Sequence, residues 1–184
     1  VVFPLLHGPM GEDGTVQGLL EQAGVPYIGA GVLGSAVAMD KAMAKDVLAA
    51  HGIPQARWLA YRSSDLAELP LPEIETELGL PCFVKPANMG SSVGVSKAKT
   101  VEELRDAIGY ALTYDEWIVV EEGIAGREIE IAVIGNADPF VSVPGLVSTE
   151  CASTDGFSYL KVTVQGDPAD PRADDIGGDL TPEW

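Results

Sequence analysis

Positive charge is scarce in this chain of 184 residues: 11 Lys and Arg stand against 28 Asp and Glu, a net charge of −17. Affinity for nucleic acid comes largely from Lys and Arg neutralising phosphates, so a nucleic-acid partner is excluded as a class. Any phosphate held here must be held by a few well-placed lysines and by backbone N–H groups. Cysteine is nearly absent as well. Cys82 and Cys151 lie far apart and form no CxxC pair, which argues against a zinc site and against a disulfide framework. Reduced thiols in a cytoplasmic protein are the simplest reading. No apolar run reaches the roughly 18 residues that a membrane-spanning helix needs, and no basic segment precedes an apolar core, so neither a membrane partner nor a secretion signal is indicated. An initiating Met is missing too. The opening VVFPLL reads as an interior strand already under way, which sets the expectation of a fragment.

What is present is enough to fold. Hydrophobic residues make up 46% of the chain, sufficient for one domain or for one domain and part of another. VVFPLL is a short strand-type run, and the turn-rich HGPMGEDG follows it. TVQGLLEQAG places Val16, Leu19, Leu20 and Ala23 at helical spacing with Gly24 as its stop, and VPYIG is a second short strand. GVLGSAVAM and DKAMAKDVLAAHG then predict helices, the second capped by Asp40 and ended at Gly52, with His51 as a polar end group. Strand, helix and strand in this order predict a partial parallel α/β unit over 1–52.

From Ile53 the pattern changes. ARWLAYR and PCFVKP read as strands, with PEIETELG between them as a helix opened by Pro72. GVSKAK leads into TVEELRDAIGYAL, a helix whose Thr100 and Glu103 form a capping-box signature. WIVVEEG, REIEIAVIG and PFVSVPGLVS complete a mostly antiparallel set of strands with helices beside it, an α+β domain over 53–148. Beyond it, 149–184 is rich in Pro, Gly and Asp and reads as loop and acidic tail.

Two stretches carry chemistry. In FVKPANMGSSVGV a lysine ends an apolar strand and a glycine- and serine-rich turn opens the next one. Gly90 and Gly94 allow close backbone approach to a ligand, Ser91 and Ser92 add hydroxyl donors, and Lys85 places a cation against phosphates. The alternative is a plain hairpin turn with an exposed lysine. Neither a GxxxxGK[ST] loop nor a GxGxxG loop is present. In VVEEGIAGREIEI a strand ends at Glu121 and Glu122, turns through Gly123 to Gly126, and resumes with Glu128. Carboxylates and hinge carbonyls suit the amine of an adenine and the hydroxyls of a ribose, although a solvated acidic sheet face has the same composition.

Taken in order, HGPMGEDGTVQGLLE, GVPYIGAGVLGSAVAMDKAMAK, FVKPANMGSSVGVSK and VVEEGIAGREIEIAV resemble the D-alanine–D-alanine ligase family of the ATP-grasp superfamily, over about residues 1 to 148. The resemblance implies a partial N-terminal pre-ATP-grasp α/β domain followed by a central ATP-grasp α+β domain. The family phosphorylates one D-alanine carboxylate with ATP and lets a second amine attack the acylphosphate, making the dipeptide of peptidoglycan. By resemblance, Lys41 and Lys85 are nucleotide lysines, and Gly90, Ser91, Ser92 and Gly94 are the phosphate lid, Ser91 also serving the substrate side. Glu121 is the adenine acceptor, Glu122, Gly123 and Ile124 are the hinge, and Glu128 is the ribose carboxylate. His7 and Glu12 match the pair beside the first D-alanine. The resemblance further implies a cytoplasmic enzyme, D-alanine and ATP as partners, and a homodimeric parent.

The departures carry equal information. The family's magnesium ligands, Asp, Glu and Asn, belong to a C-terminal domain that DLTPEW only approaches, so ATP and Mg2+ are implied cofactors with no metal ligand expected in this chain. GFSYLKVTV stands where the family has a tyrosine-rich closing loop and keeps Phe157 and Tyr159 alone. A D-alanine–D-lactate ligase and a noncatalytic ATP-grasp nucleotide-binding remnant are the alternatives.

Overall fold

A computed structural model describes residues 1–66, 68–126, 129–136, 138–143 and 145–146. By its contacts the chain divides into two compact units, Val1–Ile124 and Ala125–Trp184.

The centre of the first unit is a four-stranded antiparallel sheet made of β1 (Trp58–Arg62), β2 (Cys82–Pro86), β3 (Ser96–Ala98) and β4 (Trp117–Glu122), in the order β1-β4-β2-β3. Its two faces follow from strand alternation. Cys82, Val84 and Pro86 of β2 point to one face and are buried, while Phe83 and Lys85 point to the other and are half-buried. Register carries the division across the sheet, since Phe83 pairs with Glu121, Lys85 with Val119, and Glu121 in turn with Trp58.

Two helices cover the first face. α4 (Leu71–Glu77) opens with Pro72 in its first turn, where the missing N–H costs nothing, and buries Leu71 and Ile74. α5 (Val101–Ala111) buries Leu104, Ala107, Ile108 and Ala111, the i, i+3, i+4, i+7 set that one helical face requires. Its start is fixed by local chemistry. Glu103 N donates to Thr100 Oγ1 at 3.2 Å, and the Glu103 carboxylate reaches back to Lys99 N at 2.7 Å, one residue earlier than a regular capping box. These side chains join Val84, Ile118, Val120 and Cys82 in a single apolar core. Cys82 is thus a core residue with a free thiol.

Residues 1–52 form three helices: α1 (Thr15–Gln22), α2 (Val32–Met39) and α3 (Lys41–Ala50). Asp40 caps α3 by accepting from Met43 N at 3.0 Å, His51 is its C-cap, and Gly24 and Gly52 take the left-handed φ of 66° and 68° that follows α1 and α3. The strands expected in VVFPLL and VPYIG are reduced to a single parallel bridge, Val2 to Tyr27. The direction is the one the sequence predicts. No neighbouring strand among the described residues extends the pairing, and Val1, Phe3, Leu5 and Leu6 remain exposed.

In the second unit, β5 (Ile129–Glu130) pairs antiparallel with β8 (Gly145–Leu146), and β6 (Val133–Ile134) with β7 (Phe140–Val141). The strand expected through REIEIAVIG is therefore divided into two short pieces. The segment 149–184 lies outside the described residues.

Candidate functional site

The second face of the sheet carries the unusual chemistry. Here α3 lies over the end of β4, and of Lys41 and Lys45, four residues apart on one side of the helix, Lys45 meets Glu121 of β4 while Lys41 meets the loop that follows β2. Lys45 Nζ is 3.1 Å from Glu121 Oε1, and Lys85 Nζ is 2.5 Å from Glu121 Oε2. The Glu121 side chain is 15% exposed and Lys45 13%, so this carboxylate is held between two ammonium groups with little water around it. Burial pushes the Glu121 carboxyl up, but Lys85 and then Lys45 pull it down, and the balance lies below its ordinary value. The Lys45 ammonium also lies 5.9 Å from the centre of the Trp58 ring.

One helical turn away, Lys41 is tied to the start of the glycine loop. Its Nζ donates to Ala87 O at 3.2 Å and to Met89 O at 2.5 Å, and its backbone N donates to Ala87 O at 3.0 Å. Burial, reinforced by the nearby charge of Lys85, holds the Lys41 ammonium below its ordinary value, with Asp115, Glu121 and Asp40 opposing. The base of the loop is anchored by Asp115, which accepts from Asn88 N at 2.7 Å and Asn88 Nδ2 at 3.1 Å through Oδ2, and from Trp117 N at 3.1 Å through Oδ1.

The loop itself is exposed at Ser91 and Ser92, and both take left-handed φ, 49° and 57°. Two adjacent non-glycine residues in this region are conformationally costly, and such strain concentrates at ligand clamps and switch segments. Gly90 adjoins the HGPMGEDG turn: a Cβ built there would lie 3.6 Å from Glu12 Oε2 and 3.9 Å from Gly8 Cα. Glu12 Oε2 in turn accepts from Gly8 N at 2.5 Å, and His7 is exposed at the same turn. Asp13 serves that turn structurally, accepting from Met10 N at 2.7 Å and Thr15 N at 3.0 Å.

Gly94, at the far end of the loop, is tightly packed. It is buried, with φ 72°, and an added Cβ would lie 2.6 Å from Pro86 Cγ and 2.7 Å from Tyr114 Cδ2. Packing inside the protein requires its small size. At the other end of the site, Gly123 N donates to Pro81 O at 2.9 Å. Glu122 pairs with Arg57 Nε at 2.7 Å and accepts from Arg57 N at 2.8 Å, so its carboxylate pins the strand end and leaves only its backbone for a hinge. Ile124 is exposed. Glu128 and the loop residues Phe157 and Tyr159 lie outside the described residues.

The structure therefore brings Lys41, Lys85, Glu121, Gly90 and Glu12 into one strip, with Ser91 and Ser92 at its exposed edge. Sequence reading missed Lys45, for which the signal was its four-residue spacing from Lys41, and missed the anchors Asn88 and Asp115. Lys97, which pairs in register with Phe83, lies on this same face with its ammonium 5.3 Å from the Phe83 ring. A separate cleft of about 400 Å³ beside Trp58 is lined by Ile53, Gln55, Arg57 and Glu77. Its one cation, Arg57, is already engaged by Glu122 and by the Glu77 and Leu78 carbonyls.

As a chemical arrangement, the strip fits a nucleoside triphosphate. Lysines and the backbone of the glycine loop stand at one end, and a fixed carboxylate stands at the other. It does not supply a metal cage, since no group of three or more His, Cys, Asp or Glu among the described residues is placed to hold an ion. No helix among those residues is long and apolar enough to cross a membrane.

Known proteins match most of this chain. The model of the D-ala D-ala ligase C-terminus matches residues 47–159, and that of the D-ala D-ala ligase N-terminus matches residues 1–30. The chain is 54% identical to a D-alanine–D-alanine ligase of Bacillus velezensis, over 91% of this chain and 47% of that protein. Its identity to the one from Bacillus pumilus is 53%, over 91% and 46%. It thus spans about half the length of the curated relatives it matches. Among solved structures, the D-alanine–D-alanine ligase of Coxiella burnetii aligns with a TM-score of 0.75 at 44% identity, covering 79% of this chain and 44% of that one. The VanG D-Ala:D-Ser ligase of Enterococcus faecalis aligns at 0.76 and 35%, covering 89% and 48%. The chain belongs to the D-alanine–D-alanine ligase family.

Proposed function

We propose that this chain is the nucleotide-binding portion of an ATP-dependent D-alanine–D-alanine ligase. The observation that carries the reading is the lysine-bracketed carboxylate of Glu121, set on the same sheet face as the lysine-anchored glycine loop. In this reading Lys85 and Lys41 neutralise phosphate oxygens, and the N–H groups around Gly90, Ser91 and Ser92 close over them. Glu121 accepts from the exocyclic amine of adenine beside the backbone of Glu122 to Ile124, and Glu128 takes the ribose. His7 and Glu12 hold the first D-alanine.

The reaction transfers the terminal phosphoryl group of ATP to a D-alanine carboxylate, releasing ADP. The amine of a second D-alanine then attacks that carbonyl, loses a proton and expels phosphate. This chain's contribution is positioning and charge neutralisation, the main needs of phosphoryl transfer. Magnesium would supply further neutralisation, and its ligands are expected outside this chain. The setting in which ATP and free D-alanine meet is the cytoplasm, and the parent is read as a homodimer.

The test is made on the full-length protein that carries this chain. ATP consumption that depends on D-alanine, with phosphate and D-alanyl-D-alanine as products, supports the reading. ATP consumption with D-serine or D-lactate as the only effective acceptor would replace it by a related ligase. One structural neighbour is a D-Ala:D-Ser ligase, so D-serine is the acceptor to set against D-alanine.

A further inference from the structure

Lys45 has no role in the reading so far, yet it is among the least exposed charged side chains of the site, at 13%. It is also held in place from behind, because Gln55 Nε2 donates to the Lys45 carbonyl at 2.8 Å and fixes the linker against α3. The site therefore has two cations on one carboxylate. One would satisfy it.

The order of groups along the sheet explains the second. Glu121 stands in the row of Phe83 and Trp58, whereas Lys85 stands two residues further along β2, toward the loop that begins beyond Pro86. Lys41, at the loop end of α3, already faces that loop, and Lys45 lies one turn back, over Glu121. Lys85 is thus the cation between the carboxylate and the loop. When phosphates arrive beneath the loop, Lys85 is drawn toward them and its hold on Glu121 weakens. A half-buried carboxylate stripped of its counterion is costly.

Resting on the nucleotide-site reading above, we propose that Lys45 is a positioning residue that keeps the Glu121 carboxylate fixed while Lys85 transfers its charge from Glu121 to the phosphates of ATP. In the structure both lysines hold Glu121. In the nucleotide-bound arrangement Lys45 alone holds it, and the carboxylate stays aimed at the adenine amine. The exchange makes a specific demand on ligands. Adenosine has no phosphates, leaves Lys85 on Glu121, and needs no help from Lys45.

The experiment compares ATP with adenosine as ligands for the full-length protein, titrating the wild type, Lys45→Met and Lys45→Arg, with thermal melting as the check on folding. Lys45→Met is expected to weaken ATP about tenfold or more while adenosine changes by less than about twofold, as loss of one charge-assisted bond in the phosphate-bound state requires. Lys45→Arg restores most of the ATP affinity. Equal weakening of both ligands, or of neither, in a wild-type protein that binds ATP overturns the inference and leaves the nucleotide site standing. Failure of the wild type to bind ATP overturns both.

Discussion

The two parts of the first unit use similar helices to different ends. α5 and α1 both carry apolar residues at helical spacing, yet α5 buries Leu104, Ala107, Ile108 and Ala111, whereas α1 buries Gln17 and leaves Leu19 65% exposed. The difference lies in what is underneath. α5 sits on a four-stranded sheet, while residues 1–52 have a single β-bridge among the described residues. Amphipathic pattern makes a helix possible, and a complementary surface decides whether burial stabilises it. The seam where the two parts meet, α3 against the end of β4 and the loop that follows β2, is neither a core nor an open surface. It buries charges, and that is where the site stands.

The largest effect breaks this comparison on its packed side. Ile108→Ala removes a fully buried side chain and is expected to cost roughly 2–5 kcal/mol in denaturant unfolding of this chain. Leu19→Ala on α1 is expected within about 0.5 kcal/mol. Comparable losses at the two positions would mean that α1 is as deeply packed as α5.

Next in size is Lys85→Ala, which sharpens the distinction between core and seam. Loss of a charge-assisted bond to phosphate is expected to weaken ATP binding by on the order of 1.5–3 kcal/mol, while the melting temperature changes little. Lys99→Ala, exposed just beyond β3, serves as the control. Lys97 does not qualify, because its register with Phe83 puts it on the same sheet face. Equal and small effects at Lys85 and Lys99 would reduce FVKPANMGSSVGV to an ordinary turn.

The smallest expected effect is in the pH dependence of stability. The Glu121 carboxyl titrates below its ordinary 4.5 in the folded protein. Its contribution is therefore fully present above that ordinary value and is lost as pH falls through the lower folded one. Glu121→Gln should flatten this acid limb in unfolding measured between about pH 6 and the acid transition. An unchanged limb would show that the lysine pair does not lower that carboxyl.

Much of this architecture is legible in the sequence where the signal is local. Asp40, Thr100 with Glu103, Pro72 and Gly52 each act within a few residues, and each marks an element end that the structure shows. The four central strands are legible because their alternation is set by one shared apolar face. What the sequence hides depends on elements far apart along the chain. Lys45 reads as one more solvated helix charge until α3 is known to lie over Glu121, 76 residues later. Gly94 reads like any loop glycine, since nothing near it announces that Pro86 and Tyr114 close in on it. Glu121 and Glu122 are neighbours with the same side chain, but strand alternation sends one to the lysines and the other to Arg57.

The most direct test of the site is the structure of the full-length protein bound to a nonhydrolysable ATP analogue. The prediction is adenine at Glu121, Lys45 still on that carboxylate, and Lys85 moved onto a phosphate oxygen beneath Gly90 and Ser91. An analogue bound away from the second sheet face, with Lys85 and Lys45 still closed together on Glu121, would contradict it.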